Sequence, residues 1–266
     1  GGLLMSFVFG LPVTLLSPLS FLLRPARWVQ AISRTRATMS AGPSSAYALC
    51  AAKVRDPEVA DVDLSCWRVA LDGAETVRPE AIDAFVARMA PLGFSADAFL
   101  PAYGLAEATL GVAITPRGRG ARMLVVDKAA LAAGALVSVP PHHPAAVRLV
   151  SSGPPVRGAT VQVVDDAGAS LPDGRVGNLR VVSPSLGAGY LDDPEATAAT
   201  FRDGALRTGD LGALVDGELY VTGRVKDIIV VRGRKLCAED VEAAVESALR
   251  VAAAPRPPTA LAFGVA

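Results

Sequence analysis

Apolar residues in the first part of the chain alternate between helical spacing and short continuous runs. Pro25 can open a helix, and Trp28, Val29, Ile32 and Arg36 continue from it at helical spacing, which predicts an amphipathic helix over 25–36. A second helix is expected from Pro43. Residues 67–71 form an apolar run stopped by Asp72-Gly73, and a helix opens at Pro79 with Ile82, Phe85, Val86 and Met89 along one face. Residues 99–101 then lead into Tyr103-Gly104, a short strand that stops at a glycine turn. Residues 1–115 therefore read as alternating α/β structure, with Gly73 and Gly104 at strand ends, where ligands of such sheets bind. Residues 116–147, rich in glycine, alanine and proline, read as an inserted connector with one strand-like run at 123–126. From 148 to 223 the pattern changes to short strands and turns, with strands expected at 161–164, 178–182 and 218–222, which predicts a small antiparallel sheet or barrel. Beyond it, 228–231 reads as a strand and Ala238, Val241, Val245 and Leu249 mark a helix. Pro255, Pro257 and Pro258 end that helix, and 261–265 resembles a further strand.

Composition adds one complication. Hydrophobic residues make up 51% of the 266 and mean hydropathy is +0.38. Residues 3–23 carry no charge and are long enough to span ~30 Å of hydrocarbon as a helix. Pro12 and Pro18 interrupt that helix, Gly10 loosens it, and Ser17 and Ser20 bring polar atoms that lipid would leave unpaired. No stable membrane insertion is expected, and the run reads as an element buried in a protein core. Lys plus Arg equals Asp plus Glu at 26 each, so no excess of basic charge invites nucleic acid. Cys50, Cys66 and Cys237 are widely spaced, without a metal-binding pattern, and fit a reducing, cytoplasmic setting.

Common catalytic signatures are absent: the chain has no GxxxxGK[ST] loop, GxSxG elbow, HExxH helix or EF-hand pattern. His142 and His143 are adjacent, would point to opposite faces of a strand, and are not expected to bind metal. Three polar constellations remain. In Tyr103-Gly104-Leu105-Ala106-Glu107-Ala108-Thr109-Leu110, the ring can stack on a purine and the carboxylate can hold magnesium; a capped turn with Tyr103 in the core reads equally well. In Leu206-Arg207-Thr208-Gly209-Asp210-Leu211-Gly212, Asp210 can accept two bonds from ribose hydroxyls or make an Asx turn in a hairpin. Gly223-Arg224-Val225-Lys226-Asp227 suits a domain hinge or a solvated turn.

Together and in this order, these residues resemble the adenylate-forming superfamily of acyl-CoA synthetases, luciferases and peptide-synthetase adenylation domains. The resemblance implies a large adenylation domain, with a doubly wound α/β part and a small β-barrel-like part, and the start of a small α+β domain at 224–266. It implies that Tyr103 stacks on adenine, with Gly104 beside it, and that Gly73, Ala74 and Glu75 lie along the base. It assigns Asp210 and Arg224 to the ribose, Lys226 and Asp227 to a hinge, Glu107 to magnesium, and Glu107 with Thr109 to catalysis. ATP or AMP and Mg2+ are the implied cofactors.

The stretch 16–22, Tyr103-Gly104-Leu105-Ala106-Glu107 and Gly223-Arg224-Val225-Lys226-Asp227 are most similar to the fatty acyl-AMP ligases, and Ala106 is typical of that branch. The connector around Val125-Val126-Asp127-Lys128 and Ala132-Ala133-Gly134 resembles their insertion. The resemblance implies a fatty acid substrate and an acyl carrier protein or polyketide synthase as acceptor. An acyl-CoA synthetase, a peptide-synthetase adenylation domain and an inactive nucleotide-binding remnant are the alternatives. The family's phosphate loop, upstream histidine motif and C-terminal lysine do not occur in the sequence, so a piece truncated at both ends, with little turnover alone, is expected. Lys235-Leu236-Cys237-Ala238 also departs from the polar, aromatic stretch usual after the hinge.

Overall fold

A computed structural model describes residues 2–231, 234–238, 241, 242, 245, 248, 260 and 262. Its elements in order are helices α1 (Gly2–Phe9), α2 (Pro18–Leu23) and α3 (Ala26–Thr35), strand β1 (Met39–Gly42), helix α4 (Ser44–Lys53), strand β2 (Val69–Asp72), helix α5 (Pro79–Met89) and strands β3 (Phe99–Leu105) and β4 (Leu110–Ile114). Strand β5 (Met123–Asp127), helix α6 (Lys128–Ala132) and strand β6 (Ala146–Val150) come next. The remainder comprises β7 (Thr160–Val164), β8 (Gly177–Val182), α7 (Pro194–Thr200), β9 (Phe201–Arg202), β10 (Ala205–Val215), β11 (Glu218–Arg224), β12 (Ile228–Val231) and β13 (Arg234–Cys237). The expected helix through 238–249 and strand at 261–265 lie largely outside the described residues.

The first sheet has the order β1-β2-β3-β4, parallel from β1 to β3 and antiparallel between β3 and β4. The predicted apolar stripes supply its core: Trp28, Val29 and Ile32 from α3, Tyr47 and Cys50 from α4, and Ile82, Phe85 and Met89 from α5. Edge-on ring contacts join Tyr47 to Phe85 at 4.9 Å and Trp28 to Trp67 at 5.4 Å. The polar tips are satisfied: Trp28 Nε1 donates to Ser40 Oγ (2.8 Å), Trp67 Nε1 to the Val69 carbonyl (2.9 Å) and Tyr47 OH to the Leu71 carbonyl (2.9 Å).

A second core fills the sheet β11-β10-β8-β7, to which β9 adds through β10, and contains Val161, Val163, Leu179, Val181, Leu206 and Leu219. The β3–β4 hairpin joins the two cores. The first half of β3 pairs with β2, whereas Tyr103 and Leu105 from its second half, with Val112 and Ala113 of β4, pack into the second core. A buried ion pair adds a second tie: Arg119 from the connector grips Glu218 of β11 through both guanidinium nitrogens (2.5 and 2.9 Å), and the Ser151 hydroxyl donates to the same carboxylate. The pairing outweighs the cost of burying Glu218, whose carboxyl lies below its ordinary value although burial pushes it up.

Several expectations need correction. Residues 3–23 are not a buried element. They form two short helices separated by the non-helical residues 10–17, in which Gly10 has φ +61, and most of their apolar side chains face outward, with Phe7 at 75% and Leu22 at 63% exposure. Of their apolar side chains, Leu16 and Phe21 pack on the first core. No helix among the described residues is long and apolar enough to cross a membrane. The connector is more ordered than its composition predicts: β5 pairs in antiparallel register with β6 from Met123↔Val150 to Asp127↔Ala146, so a boundary at 147/148 would cut a strand. Likewise Arg224, placed at the start of the hinge, is the last residue of β11.

Gly153 sits at the joint between the cores with φ +84, and a Cβ there would lie 2.3 Å from the backbone of Ile114 and Thr115. Gly153→Ala is expected to lower stability by at least about 2 kcal/mol, read as an earlier urea midpoint.

Candidate nucleotide-binding site

The site is built where the second half of β3 meets β10 and β11. The chain of β10 is irregular at Thr208-Gly209-Asp210: its register against β8 shifts between Arg207 and Leu211, and Gly209 has φ +74. The segment, for which an Asx turn in a hairpin is one of the two readings, is thus a bulge inside an 11-residue strand. Thr208 locks it, donating its hydroxyl to the Leu179 carbonyl and accepting the Asp210 N–H, both at 3.0 Å. Asp210 is left buried, directly opposite Arg224 in the β10–β11 register.

Both Asp210 carboxylate oxygens are engaged. Tyr103 OH donates to Oδ2 at 2.5 Å and Arg224 Nε donates to Oδ1 at 2.9 Å. Burial, and then the Asp210 charge, hold the Tyr103 phenol far above ordinary tyrosine, and the bond to Asp210 raises the Arg224 guanidinium. Tyr103 is therefore a neutral donor at physiological pH, and three chain-distant residues form one hydrogen-bonded unit.

Glu107 and Thr109 lie on the strained tip of the same hairpin, where the 3-10 turn Ala106–Ala108 is followed by Thr109 and Leu110 at φ 53 and 91. Gly104 permits this turn: a Cβ would fall 1.6 Å from the Leu110 carbonyl oxygen. The loop after β8 clasps the tip. Gly187 N–H donates to the Glu107 carbonyl (2.7 Å), Thr109 OH to the Ser185 carbonyl (2.5 Å), Ser185 OH to the Ala108 carbonyl (3.0 Å) and Tyr190 OH to Glu107 Oε1 (2.6 Å). The last bond raises the Tyr190 phenol above its ordinary value. The Thr109 hydroxyl is committed to holding the loop.

At the end of β2, a Cβ on Gly73 would stand 3.0 Å from the Ala102 carbonyl oxygen, and Ala74 adopts φ +72, so this turn rests on β3 just before Tyr103. The Glu75 carboxylate faces away to α4, where it accepts the Ser45 N–H (3.0 Å) and hydroxyl (2.8 Å). Lys226 and Asp227 form the turn after β11, Lys226 exposed and Asp227 half-buried. His143 is exposed in the connector and accepts the Ala145 N–H, and no cluster of metal-ligating side chains occurs among the described residues.

Sequence reasoning missed two residues of this region. One is Tyr190, whose signal was an aromatic ring after Gly187-Ala188-Gly189. The other is Asp72, an acid closing an apolar strand: it is fully buried, and neither oxygen has a hydrogen-bond partner among the described residues. Burial, opposed by the nearby Ser44 hydroxyl and reinforced by Glu75, raises its carboxyl to about 7.

The fold, an α/β part followed by an antiparallel β part, matches that of adenylation domains. The chain belongs to the AMP-binding enzyme family, the adenylate-forming ligases, whose model matches residues 1–191. It is 42% identical over 257 residues to a medium-chain-fatty-acid–[acyl-carrier-protein] ligase, JamA, of Moorena producens, covering 92% of this chain and 43% of that protein. Among solved structures it resembles a chain from a study of fatty acyl-adenylate ligases of E. coli and L. pneumophila, with TM-score 0.87, 35% identity and coverage of 92% and 44%. It also resembles the fatty acyl-adenylate ligase of L. pneumophila in complex with acyl adenylate and pyrophosphate, with TM-score 0.78, 37% identity and coverage of 82% and 39%. The chain thus spans less than half the length of these relatives.

Because folding raises the Asp72 carboxyl above its unfolded value near 4, its neutral form is favoured, and the associated stability is complete below pH ~4 and lost as pH rises to about 7. Asp72→Asn is expected to raise stability by about 2–4 kcal/mol at pH 8 and by little at pH 4, measured by urea unfolding at both values.

Proposed function

We propose that this chain contributes the base- and ribose-recognition half of an enzyme that activates a fatty acid as acyl-AMP and passes the acyl group to an acyl carrier protein, alone or within a polyketide synthase. The observation that carries this reading is the Tyr103–Asp210–Arg224 unit beside the Glu107 turn, in a chain of the AMP-binding family. Each Asp210 oxygen keeps a second lone pair, so ribose hydroxyls can donate to a carboxylate already oriented by Tyr103 and Arg224. The ring of Tyr103 offers a flat surface for adenine, and the turn at Gly73, Ala74 and Glu75, which rests on β3 just before Tyr103, would lie along the base, with Gly104 beside the ring. Glu75 supports this turn by anchoring it to α4. Lys226 and Asp227 serve as the pivot between the nucleotide-binding unit and a small C-terminal domain.

The donor set at the hairpin tip suits Mg2+, which takes one or two carboxylates and completes its shell with phosphate oxygens and water. Glu107 is the residue that would hold it, and the ion would neutralise charge on the phosphates during adenylation. In that reaction the fatty acid carboxylate attacks the α-phosphorus, the bond to the β-phosphate oxygen breaks, and pyrophosphate leaves. Arg224 adds fixed positive charge at the ribose side. The acceptor thiol then displaces AMP from the acyl carbon. Each buried methylene of the acyl chain would add ~0.8 kcal/mol to binding, which favours longer acids. The buried free thiol of Cys50 accords with a reducing, cytoplasmic setting.

Calorimetry with AMP and a non-hydrolysable acyl-AMP analogue tests the site: Asp210→Ala should weaken both ligands roughly tenfold or more, and unchanged affinity would remove Asp210 from ribose recognition. The acceptor is tested on the full-length protein carrying this segment. Thioester formation is expected with carrier protein, and efficient transfer to coenzyme A instead would make the enzyme an acyl-CoA synthetase.

A further inference from the structure

The loop after β8 does more than connect strands. Its glycines seat it on α7: Gly189 has φ +147, where a Cβ would come within 2.5 Å of Thr197 Cγ2. Thr197 in turn accepts the Tyr190 N–H at 2.8 Å and donates to the Asp193 carbonyl at 2.7 Å. Asp193 caps α7 by accepting the Ala196 N–H at 2.9 Å. The Tyr190 ring rests edge-on against Phe201, with centroids 5.8 Å apart. Backbone and ring are thereby placed, and the phenol is aimed at Glu107 Oε1, 2.6 Å away. Among the described residues no other donor bonds the Glu107 carboxylate, so Oε2 is free.

We propose that Tyr190 is a positioning residue for the cation-binding carboxylate: its hydroxyl holds Glu107 Oε1 and presents Oε2 to a divalent ion. The proposal rests on the assignment of Glu107 to that ion. Its physical basis is that a flexible glutamate on an exposed turn loses rotamer freedom when it binds, and a second partner on the other oxygen removes that loss beforehand. The other three bonds of the clasp act on backbone carbonyls and leave the carboxylate unaddressed. Among the described residues, the hydroxyl of Tyr190 is the one group of the loop that hydrogen-bonds it.

The test measures Mn2+ binding to the 266-residue chain by electron paramagnetic resonance, with saturating AMP, for wild type, Glu107→Gln, Tyr190→Phe and Ser185→Ala. Tyr190→Phe keeps the ring on Phe201 and is expected to weaken Mn2+ about tenfold while AMP affinity without metal stays unchanged. Ser185→Ala removes a neighbouring clasp bond and should bind Mn2+ like wild type, which separates loss of the phenol from loosening of the loop. In protein carrying 3-fluorotyrosine, the 19F resonance lost in Tyr190→Phe should shift on Mg2+ addition. Wild-type Mn2+ affinity in Tyr190→Phe, with Glu107→Gln weakened, would overturn the positioning role alone. Equal affinity in wild type and Glu107→Gln, or no Mn2+ binding by wild type, would overturn the Glu107 assignment and this proposal with it.

Discussion

A buried carboxylate must be paired, and in this chain that requirement organises the meeting of two sheets. Asp210 is buried within β10, and its two oxygens are satisfied from different directions: by Arg224 across the β10–β11 ladder and by Tyr103 from the β3–β4 hairpin. The first partner comes with the strand register. The second comes only if the hairpin, rooted in the first sheet, lies against the second core. The Arg119–Glu218 pair makes the same demand from the connector side, again placing a buried acid of the β subdomain against a cation from elsewhere. Ionic groups that would be costly alone thereby specify how the two halves of the unit sit together.

The same hairpin carries tension at its tip. Successive residues Thr109 and Leu110 occupy left-handed backbone conformations without being glycine, and Gly104 is pressed against the Leu110 carbonyl. Such a turn persists only when its surroundings over-determine it, and the loop from Ser185 to Tyr190 does so with bonds to three consecutive residues, Glu107, Ala108 and Thr109. Strain beside the proposed metal carboxylate is thus held by packing and hydrogen bonds rather than by the turn's own preference. Asp72 is the opposite case: a buried acid with no hydrogen-bond partner among the described residues, its carboxyl raised to about 7 at the end of β2, immediately before the turn that rests on β3.

Sequence and structure agree where a single periodic stripe meets a single core. Helices α3, α4 and α5 and strands β2, β7 and β8 fall within a residue or two of their patterns, since their buried positions were readable from spacing. They part where a segment serves two partners. Strand β10 spans 11 residues with glycines and charges inside it, and its local chemistry reads as a turn because the pairing with β8 and β11 that makes Gly209 a bulge within a strand comes from distant parts of the chain. Residues 3–23 mislead in the other direction, since composition alone promises burial that two short, broken helices do not achieve.

What the sequence determined by itself was the kind of chain this is: an α/β part followed by an antiparallel part, with an aromatic ring, acids and a charged junction at the ends of strands. Those properties come from local spacing and from motifs whose order survives without coordinates. Only the tertiary structure decided which of the residues work as a unit. Tyr103 and Asp210 are 107 positions apart, and Tyr190 and Glu107 are 83 apart, so their bonds depend on how two sheets and a loop pack. A hydrogen bond is decided within a few tenths of an ångström, a precision that periodicity along a chain does not carry.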